Sequence, residues 1–329
     1  MKEIRLGTIG TGVIVRNILN HVKNTESNVI EAVYSRTEEK GGKLAGEYGV
    51  QKVYTDMDAF LADPLMNTVY IASPNLLHYA QARKALLAGK NVILEKPFCT
   101  RADQAAELFE IAGEKGLILT EAVPTTYLPN YEMLEKSLEK IGRVKLVLAN
   151  YSQYSSRFDQ LLRGELTNIF DPQYAGGCLM DINLYNVYLT AALFGMPQTA
   201  EYRPNLFDGK YDTSGVAILE YDGFTALCAG AKDTWGVNAY QIEGEKGFIY
   251  IRDGSNGIRE LRVVTKNSDE TINLQPDPDR YKYEVEKMTE LLLADDREAF
   301  DKRKEITLTV NEIIENIRTG AGLIFPGDR

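Results

Sequence analysis

Lys96 stands in Glu95-Lys96-Pro97, at the close of the apolar run Asn91–Leu94. A run of that kind reads as a buried parallel strand, and open α/β sheets bind ligands at the carboxyl ends of such strands. Burial lowers a lysine's pKa and suits it to proton chemistry, while Pro97 shapes the turn that aims it. The plain alternative is a surface ion pair between Glu95 and Lys96. A second pair, Asp181 and Tyr185, follows Gly176-Gly177 at a spacing of four residues. In an α-helix that spacing sets both on one face, where an acid and a phenol can hold a hydroxyl and pass a proton. The plain alternative has Asp181 favouring the helix dipole and Tyr185 filling the core.

Further residues point to a nucleotide. Gly10-Thr11-Gly12-Val13-Ile14 follows a short apolar run, Arg5–Ile9, and opens a helix. Glycines there permit a tight turn and let backbone N–H groups reach a pyrophosphate. The third small residue of the usual pattern is replaced by Val15. An NAD site carries an acid about 20 positions past the glycines. Here Tyr34-Ser35-Arg36 stands instead. A hydroxyl beside a guanidinium suits a 2′-phosphate through a charge-assisted pair, so NADP is favoured over NAD, although Arg36 stacked on adenine or simply solvated fits as well. Ser73-Pro74-Asn75, with His78 one turn on, follows a strand at Val69–Ala72 and is expected to face the same cleft. Asn75 as a helix cap and His78 as a structural hydrogen-bonder are the alternatives.

These residues need a frame. Over roughly the first third of the chain, strand-like and helix-like segments alternate: Arg5–Ile9, Val13–Val22, Asn28–Ser35, a helix capped by Thr37, Val69–Ala72, a helix through Ala88, Asn91–Leu94, Arg101–Glu114 and Leu117–Thr120. Alternation of this kind implies an α/β fold, a doubly wound parallel sheet of Rossmann type with helices on both faces. Pro124 and Pro129 mark an exit to a second region of long alternating runs, Val144–Tyr154, Ala200–Phe207, Ser214–Tyr221, Thr225–Ala231, Tyr240–Glu243 and Phe248–Ile251. Asp222-Gly223 and Lys246-Gly247 supply turns. The expectation is an α+β domain with a large, mainly antiparallel open sheet. One helix, Leu179–Phe194, interrupts it, and helices near Tyr281–Ala294 and Ile306–Ala321 close the chain. The expected division is a dinucleotide-binding domain over 1–123, a substrate and dimerisation domain over 124–305, and a terminal helix and tail over 306–329 packing near the first domain.

Composition narrows the function classes. A chain of 329 residues exceeds one ordinary core. Its 44% hydrophobic and 26% charged content is that of a globular protein. A net charge of −10 leaves no basic excess for a nucleic acid or an anionic membrane. No run approaches the roughly 20 apolar residues of a membrane span, and Met1-Lys2-Glu3-Ile4 leads directly into a strand. Three scattered cysteines, Cys99, Cys178 and Cys228, fit a reducing cytoplasm. With His21 and His78 the only histidines, no metal site is expected.

In order along the chain, Gly10/Gly12, Pro74-Asn75-Leu76-Leu77-His78, Glu95-Lys96-Pro97, Gly177-Cys178-Leu179-Met180-Asp181 and Ala321–Gly327 resemble the family of glucose–fructose oxidoreductase, inositol 2-dehydrogenase and the rhizopine-catabolism proteins (Gfo/Idh/MocA). In motif they stand closest to its dimeric dihydrodiol dehydrogenase-like branch. The resemblance implies an NAD(P)-dependent oxidoreductase acting on a carbohydrate, polyol or vicinal diol. Tyr185 would be the acid/base, Lys96 its partner, and Asp181 the residue that orients the substrate hydroxyl or Lys96. It implies a cofactor held by Gly10, Thr11, Gly12, Val13, Ile14, Ser35, Arg36, Ser73, Pro74, Asn75, His78, Glu95 and Lys96, and a cis peptide before Pro97. Related enzymes pair through the second-domain sheet, so a homodimer or dimer of dimers is expected, with Val216, Ile218 and Leu227 on its open face. The segment Tyr151–Arg163, rich in Tyr, Ser and Arg, is expected as a loop lining the substrate pocket through Tyr154 and Arg157. Departures from the family pattern are Val15, Asn183 where glycine is common, and Pro124 and Thr126 in place of an aromatic and an arginine. A non-catalytic cofactor-binding regulator of the same fold and an NAD-dependent glycosidase are the rival readings.

Overall fold

The computed structural model describes residues 2–328. The first strand, β1 (Ile4–Ile9), ends at the glycine turn, and α1 (Val13–Val22) returns along the sheet. It buries Val15, Ile18, Leu19 and Val22. Ile14, expected on that face, is half-buried, and Val15 takes the core position. There follow β2 (Asn28–Tyr34), α2 (Glu38–Tyr48), β3 (Lys52–Tyr54), α3 (Met57–Leu61), β4 (Thr68–Ile71), α4 (His78–Leu87), β5 (Asn91–Glu95), α5 (Ala102–Glu114) and β6 (Leu119–Ala122). The strands form one six-stranded sheet in the order β3-β2-β1-β4-β5-β6, every pair parallel. The order reverses beside β1, which makes the carboxyl ends of β1 and β4 the ligand-binding switch point of a Rossmann sheet.

The second half contains α6 (Pro129–Ile141), β7 (Val144–Ser152), α7 (Ser156–Leu162), a π-helical segment (Leu179–Asn183) running into α8 (Leu184–Phe194), and then β8 (Thr199–Phe207), β9 (Tyr211–Tyr221), β10 (Phe224–Ala231), β11 (Ala239–Gly244), β12 (Gly247–Arg252), β13 (Glu260–Thr265) and β14 (Asp269–Ile272). Its eight strands are ordered β14-β13-β12-β11-β7-β10-β9-β8. All pairs are antiparallel except β7 with β10. The helices α6 and α8 pack on this sheet. The periodicity reading missed both α6 and α7. Pro129 occupies the first turn of α6, where a missing N–H costs nothing. The Ser155 hydroxyl accepts from Arg157 N (3.2 Å) and opens α7, so the segment expected as a loop is a strand end followed by a helix.

The chain closes with α9 (Arg280–Ala294) and α10 (Arg297–Gly320). It divides into two compact units, one of residues up to Val123 with Asp279–Glu305, the other of Pro124–Pro278 with Ile306 onward. The expected boundaries are corrected on both counts. Asp279–Glu305 joins the first unit because α9 buries Val285, Met288, Leu291 and Leu292 and packs on α1 and β1, with Asn28 Nδ2 donating to Thr289 Oγ1 (2.9 Å). The terminal segment joins the second unit. There the fully buried Arg318 donates to Leu323 O (2.6 Å), pairs with Asp328 (2.5 Å) and lies over the Phe325 ring. The three cysteines are buried, and no disulfide forms among the described residues. Among the described residues, no helix is long and apolar enough to cross a membrane.

Candidate active site

In the first unit, the ends of β1, β2 and β4 enclose a cleft of about 550 Å³. Gly10, at φ +117°, lets the chain turn past β4: a Cβ there would sit 2.5 Å from Ala72 O. Gly12 begins α1, and a Cβ on it would meet nothing within 4 Å. Thr11 lines the cleft with them, whereas Val13 and Ile14 lie in the first helical turn and contribute no side chain to its wall. Arg16, which no motif singled out, braces this turn. Its Nη1 donates to Thr11 O (2.7 Å), and its Nε meets Glu47 (2.7 Å). Val15 is fully buried, so the missing small residue is a core substitution and leaves the cleft open.

The far wall is cationic. Ser35, Arg36, Thr37 and Lys40 line it at the carboxyl end of β2 and the start of α2, where the Thr37 hydroxyl accepts from Lys40 N (3.4 Å). Periodicity marked Thr37 only as a cap and passed over Lys40. Ser73 and Pro74 line the cleft with Leu77 and Gln81, while Asn75 and His78 do not. His78 is buried behind the wall. Its Nδ1 lies 2.8 Å from Pro97 O and its Nε2 2.9 Å from Ser73 O, so it ties the Ser73 loop to the Lys96-Pro97 turn. A neutral imidazole can donate to only one of these carbonyls. The cation that would satisfy both is opposed by burial first, and also by the Lys96 charge; with no solvent to share the charge, we take the ring as neutral.

The Lys96–Pro97 peptide is cis, as the resemblance implied. Beneath Lys96, Glu95 is buried and accepts from Tyr70 Oη (2.7 Å). Burial pushes its carboxyl up to about 6, against the lowering effects of that hydrogen bond and of the Lys96 and Arg280 charges. Neither Glu95 nor Lys96, both expected to hold the cofactor, lines the cleft at the ends of β1, β2 and β4: Glu95 is buried, and Lys96 lies half-buried just past the end of β5. Glu284 of α9, buried with neither carboxyl oxygen hydrogen-bonded, is driven well above the carboxylate range by burial and then by Glu95. A charge on Glu95 thus opposes a second one on Glu284.

In the second unit, Asp181 lies within the π-helical segment, whose wider turn is marked by Leu184 N–H reaching Leu179 O. Such turns are frequent at functional sites. The i, i+4 expectation assumed α geometry, and the extra width changes the angle between Asp181 and Tyr185. The Asp181 carboxylate is held by Lys232, whose side chain is only 7% exposed; sequence reasoning missed this lysine because it lies 51 residues away. Tyr185 is buried, with its ring edge-on to Tyr151 (centroids 5.9 Å apart).

The turn before this segment is set by close approach and not by flexibility. A Cβ on Gly176 would lie 2.4 Å from Asn168 O, and Gly177 has φ +130° against Asp212. Asp212 accepts from Leu179 N (2.8 Å) and Tyr202 Oη (2.8 Å); burial raises its carboxyl to about 7. Asn183, the departure from glycine, donates to Cys228 O (2.9 Å) in space left by Gly230, where a Cβ would come within 2.6 Å of Asn183 Cβ. Tyr154 donates to Asp159 Oδ1 (2.7 Å), and Arg157 is exposed on α7, with Nη1 on Gln160 Oε1 (3.1 Å).

The frame and the glycine cradle fit a dinucleotide, and the cationic wall fits an additional phosphate. Residues 4–123 match the model of an oxidoreductase family with an NAD-binding Rossmann fold, and residues 137–250 match the GFO/IDH/MocA C-terminal domain. The chain is 34% identical to scyllo-inositol 2-dehydrogenase (NADP(+)) of Bacillus subtilis, with 99% of each chain covered. It is 29% identical to a D-xylose 1-dehydrogenase (NADP(+)) of Haloferax volcanii, covering 97% of this chain and 98% of that one. A 3-ketoreductase from Actinomadura kijaniata, solved with NADP and TDP-benzene, superposes with a TM-score of 0.82 at 22% identity over 97% of this chain and 98% of its own, which speaks for the fold. Sequence, topology and both family models agree that the chain belongs to the Gfo/Idh/MocA oxidoreductase family.

Proposed function

We propose that the protein is an NADP-dependent dehydrogenase or reductase acting on CH–OH groups of a carbohydrate, polyol or vicinal diol. The observation that carries the cofactor choice is the wall at the end of β2, where Arg36 and Lys40 stand in place of an acid. A carboxylate there would pair with a ribose hydroxyl and repel a 2′-phosphate; two cations and a hydroxyl do the reverse. The relatives from Bacillus subtilis and Haloferax volcanii are NADP(+) enzymes by name. Backbone N–H groups at Gly10–Gly12 and the start of α1 would hold the pyrophosphate.

Once bound, the nicotinamide supplies or accepts the hydride. Tyr185 gives its proton to the substrate carbonyl oxygen in reduction and takes one from the alcohol in oxidation. The Lys96 charge polarises the same oxygen and lowers the tyrosine's pKa. Asp181, kept in place by Lys232, orients a neighbouring substrate hydroxyl. Support for these roles comes from the half-buried Lys96 just past the end of β5, the π-helical segment that carries Asp181, and the family to which the chain belongs.

We further propose that the chain self-associates through the open face of its second sheet. The alternating pattern puts Leu148, Ile218 and Leu227 on that face. They are adjacent in register, and each is only partly covered. Apolar patches of this kind mark interfaces.

The test is reduction of NADP⁺ and of NAD⁺, followed by absorbance, over a panel of inositols, pentoses, hexoses and vicinal diols. Turnover with NADP⁺ at lower KM than with NAD⁺ is expected. No turnover on any member in either direction would overturn the reading.

A further inference from the structure

Trp235 is the only tryptophan of the chain, and it is 77% exposed. It is not loose. Its ring stacks on Tyr154 with centroids 5.7 Å apart and planes 9° from parallel. Tyr154 is fixed in turn by its hydrogen bond to Asp159 (2.7 Å) and by the edge of Phe158, which roots in Phe170 and Phe207. The second unit thus holds out a two-ring platform with one indole face to solvent, built on an aromatic cluster.

The platform is tied to the acid site of its own unit. Tyr154 lies between two backbone bonds to the end of β10, Gln153 N to Ala231 O (2.8 Å) and Ser155 N to Lys232 O (2.9 Å). Lys232 is the residue that holds Asp181. Trp235 follows Lys232 by three positions, so their Cα atoms are at most about 11 Å apart.

We infer that Trp235 and Tyr154 form the subsite on which the C–H face of a cyclic polyol or pyranose substrate rests, with Asp181 and Lys232 addressing its hydroxyls. The chemistry favours a ring. A saturated ring with equatorial hydroxyls presents a face of weakly positive C–H groups, which complements the negative face of indole, while its polar rim stays free for charged side chains. An open-chain polyol presents no such face. This inference names the substrate class of the proposed reaction and rests on that reading.

With one tryptophan in the chain, emission reports Trp235 directly. The NADP⁺-saturated protein is titrated with scyllo-inositol, D-xylose and the open-chain polyol sorbitol while emission is recorded, and turnover is measured separately. A saturable emission change with a cyclic polyol, larger than with sorbitol, is expected. Trp235→Ala should raise KM for the cyclic substrate about 3- to 10-fold with little change in kcat, and Trp235→Phe should recover most of the loss. Circular dichroism and NADPH binding show whether the variants remain folded. Turnover of a cyclic polyol without an emission change, or an unaltered KM in Trp235→Ala, would overturn the platform. So would emission that follows protein concentration and ignores polyol, since the loop would then contact a second copy. If no polyol is turned over, the proposed reaction falls, and a saturable emission change would still uphold the subsite.

Discussion

Lys232, buried at the end of β10, holds the carboxylate of Asp181 from 51 residues away in the chain. Removing one partner of a buried pair costs about 3–5 kcal/mol. The Asp181 side chain is 25% exposed, so a smaller cost of roughly 1–3 kcal/mol is expected after solvent screening. Lys232→Met should therefore lower Tm and raise the substrate KM, since Asp181 loses the cation that holds it. Lys232→Arg should recover most of the KM. An unaltered KM in a folded Lys232→Met would make the pair purely structural.

Arg36 and Lys40 predict cofactor preference. Each charge-assisted contact to a phosphate is worth about 1.5–3 kcal/mol. Arg36→Ala should weaken NADP(H) binding at least tenfold and leave NAD(H) binding nearly unchanged; isothermal titration of both cofactors checks this. Equal losses would assign Arg36 to stacking on adenine. Lys40→Ala should act in the same direction.

Tyr185→Phe should keep the fold and NADPH binding but lower kcat by roughly 10²–10⁴, the usual worth of acid–base catalysis. Lys96→Met should be comparably damaging, and the double variant little worse than either, because such groups act as a unit. Activity close to that of the unaltered protein in Tyr185→Phe would return Tyr185 to a packing role.

Asp212 predicts a pH dependence of stability. Its carboxyl is raised from 3.8 in the unfolded chain to about 7 in the folded one. The folded state therefore holds the proton more tightly. The stabilisation is fully present below about 3.8 and is lost as pH rises through about 7. Asp212→Asn should flatten the fall in Tm across this window, as scanning calorimetry at pH 4, 5.5 and 7.5 would show. An unchanged slope would place the titration elsewhere.

The open face of the second sheet predicts assembly. Light scattering at micromolar concentration should give a dimer or tetramer, and Leu148→Asp, a charge in the middle of that face, should shift it towards monomer. A monomeric starting protein would remove the proposal.

Much of this protein is determined locally. Alternating apolar runs and helical repeats dictated the parallel sheet, because each segment must bury its own face, and Gly10, Arg36 and Lys96 were legible because strand ends announce themselves as an apolar run meeting a turn. Asp181 and Tyr185 could be named because they follow Gly176-Gly177 at a spacing of four residues. What remained hidden depends on partners distant in sequence. No local pattern pairs Lys232 with Asp181, sets Gly230 opposite Asn183, stacks Trp235 on Tyr154, or places a buried His78 behind the cofactor wall. The π turn at Leu179–Asn183 escaped because its hydrogen bonds shift by one residue while its composition stays that of an α-helix. The exchange of α9 and the terminal segment between the two units escaped because an amphipathic helix states that it must be covered, and only tertiary packing decides by what.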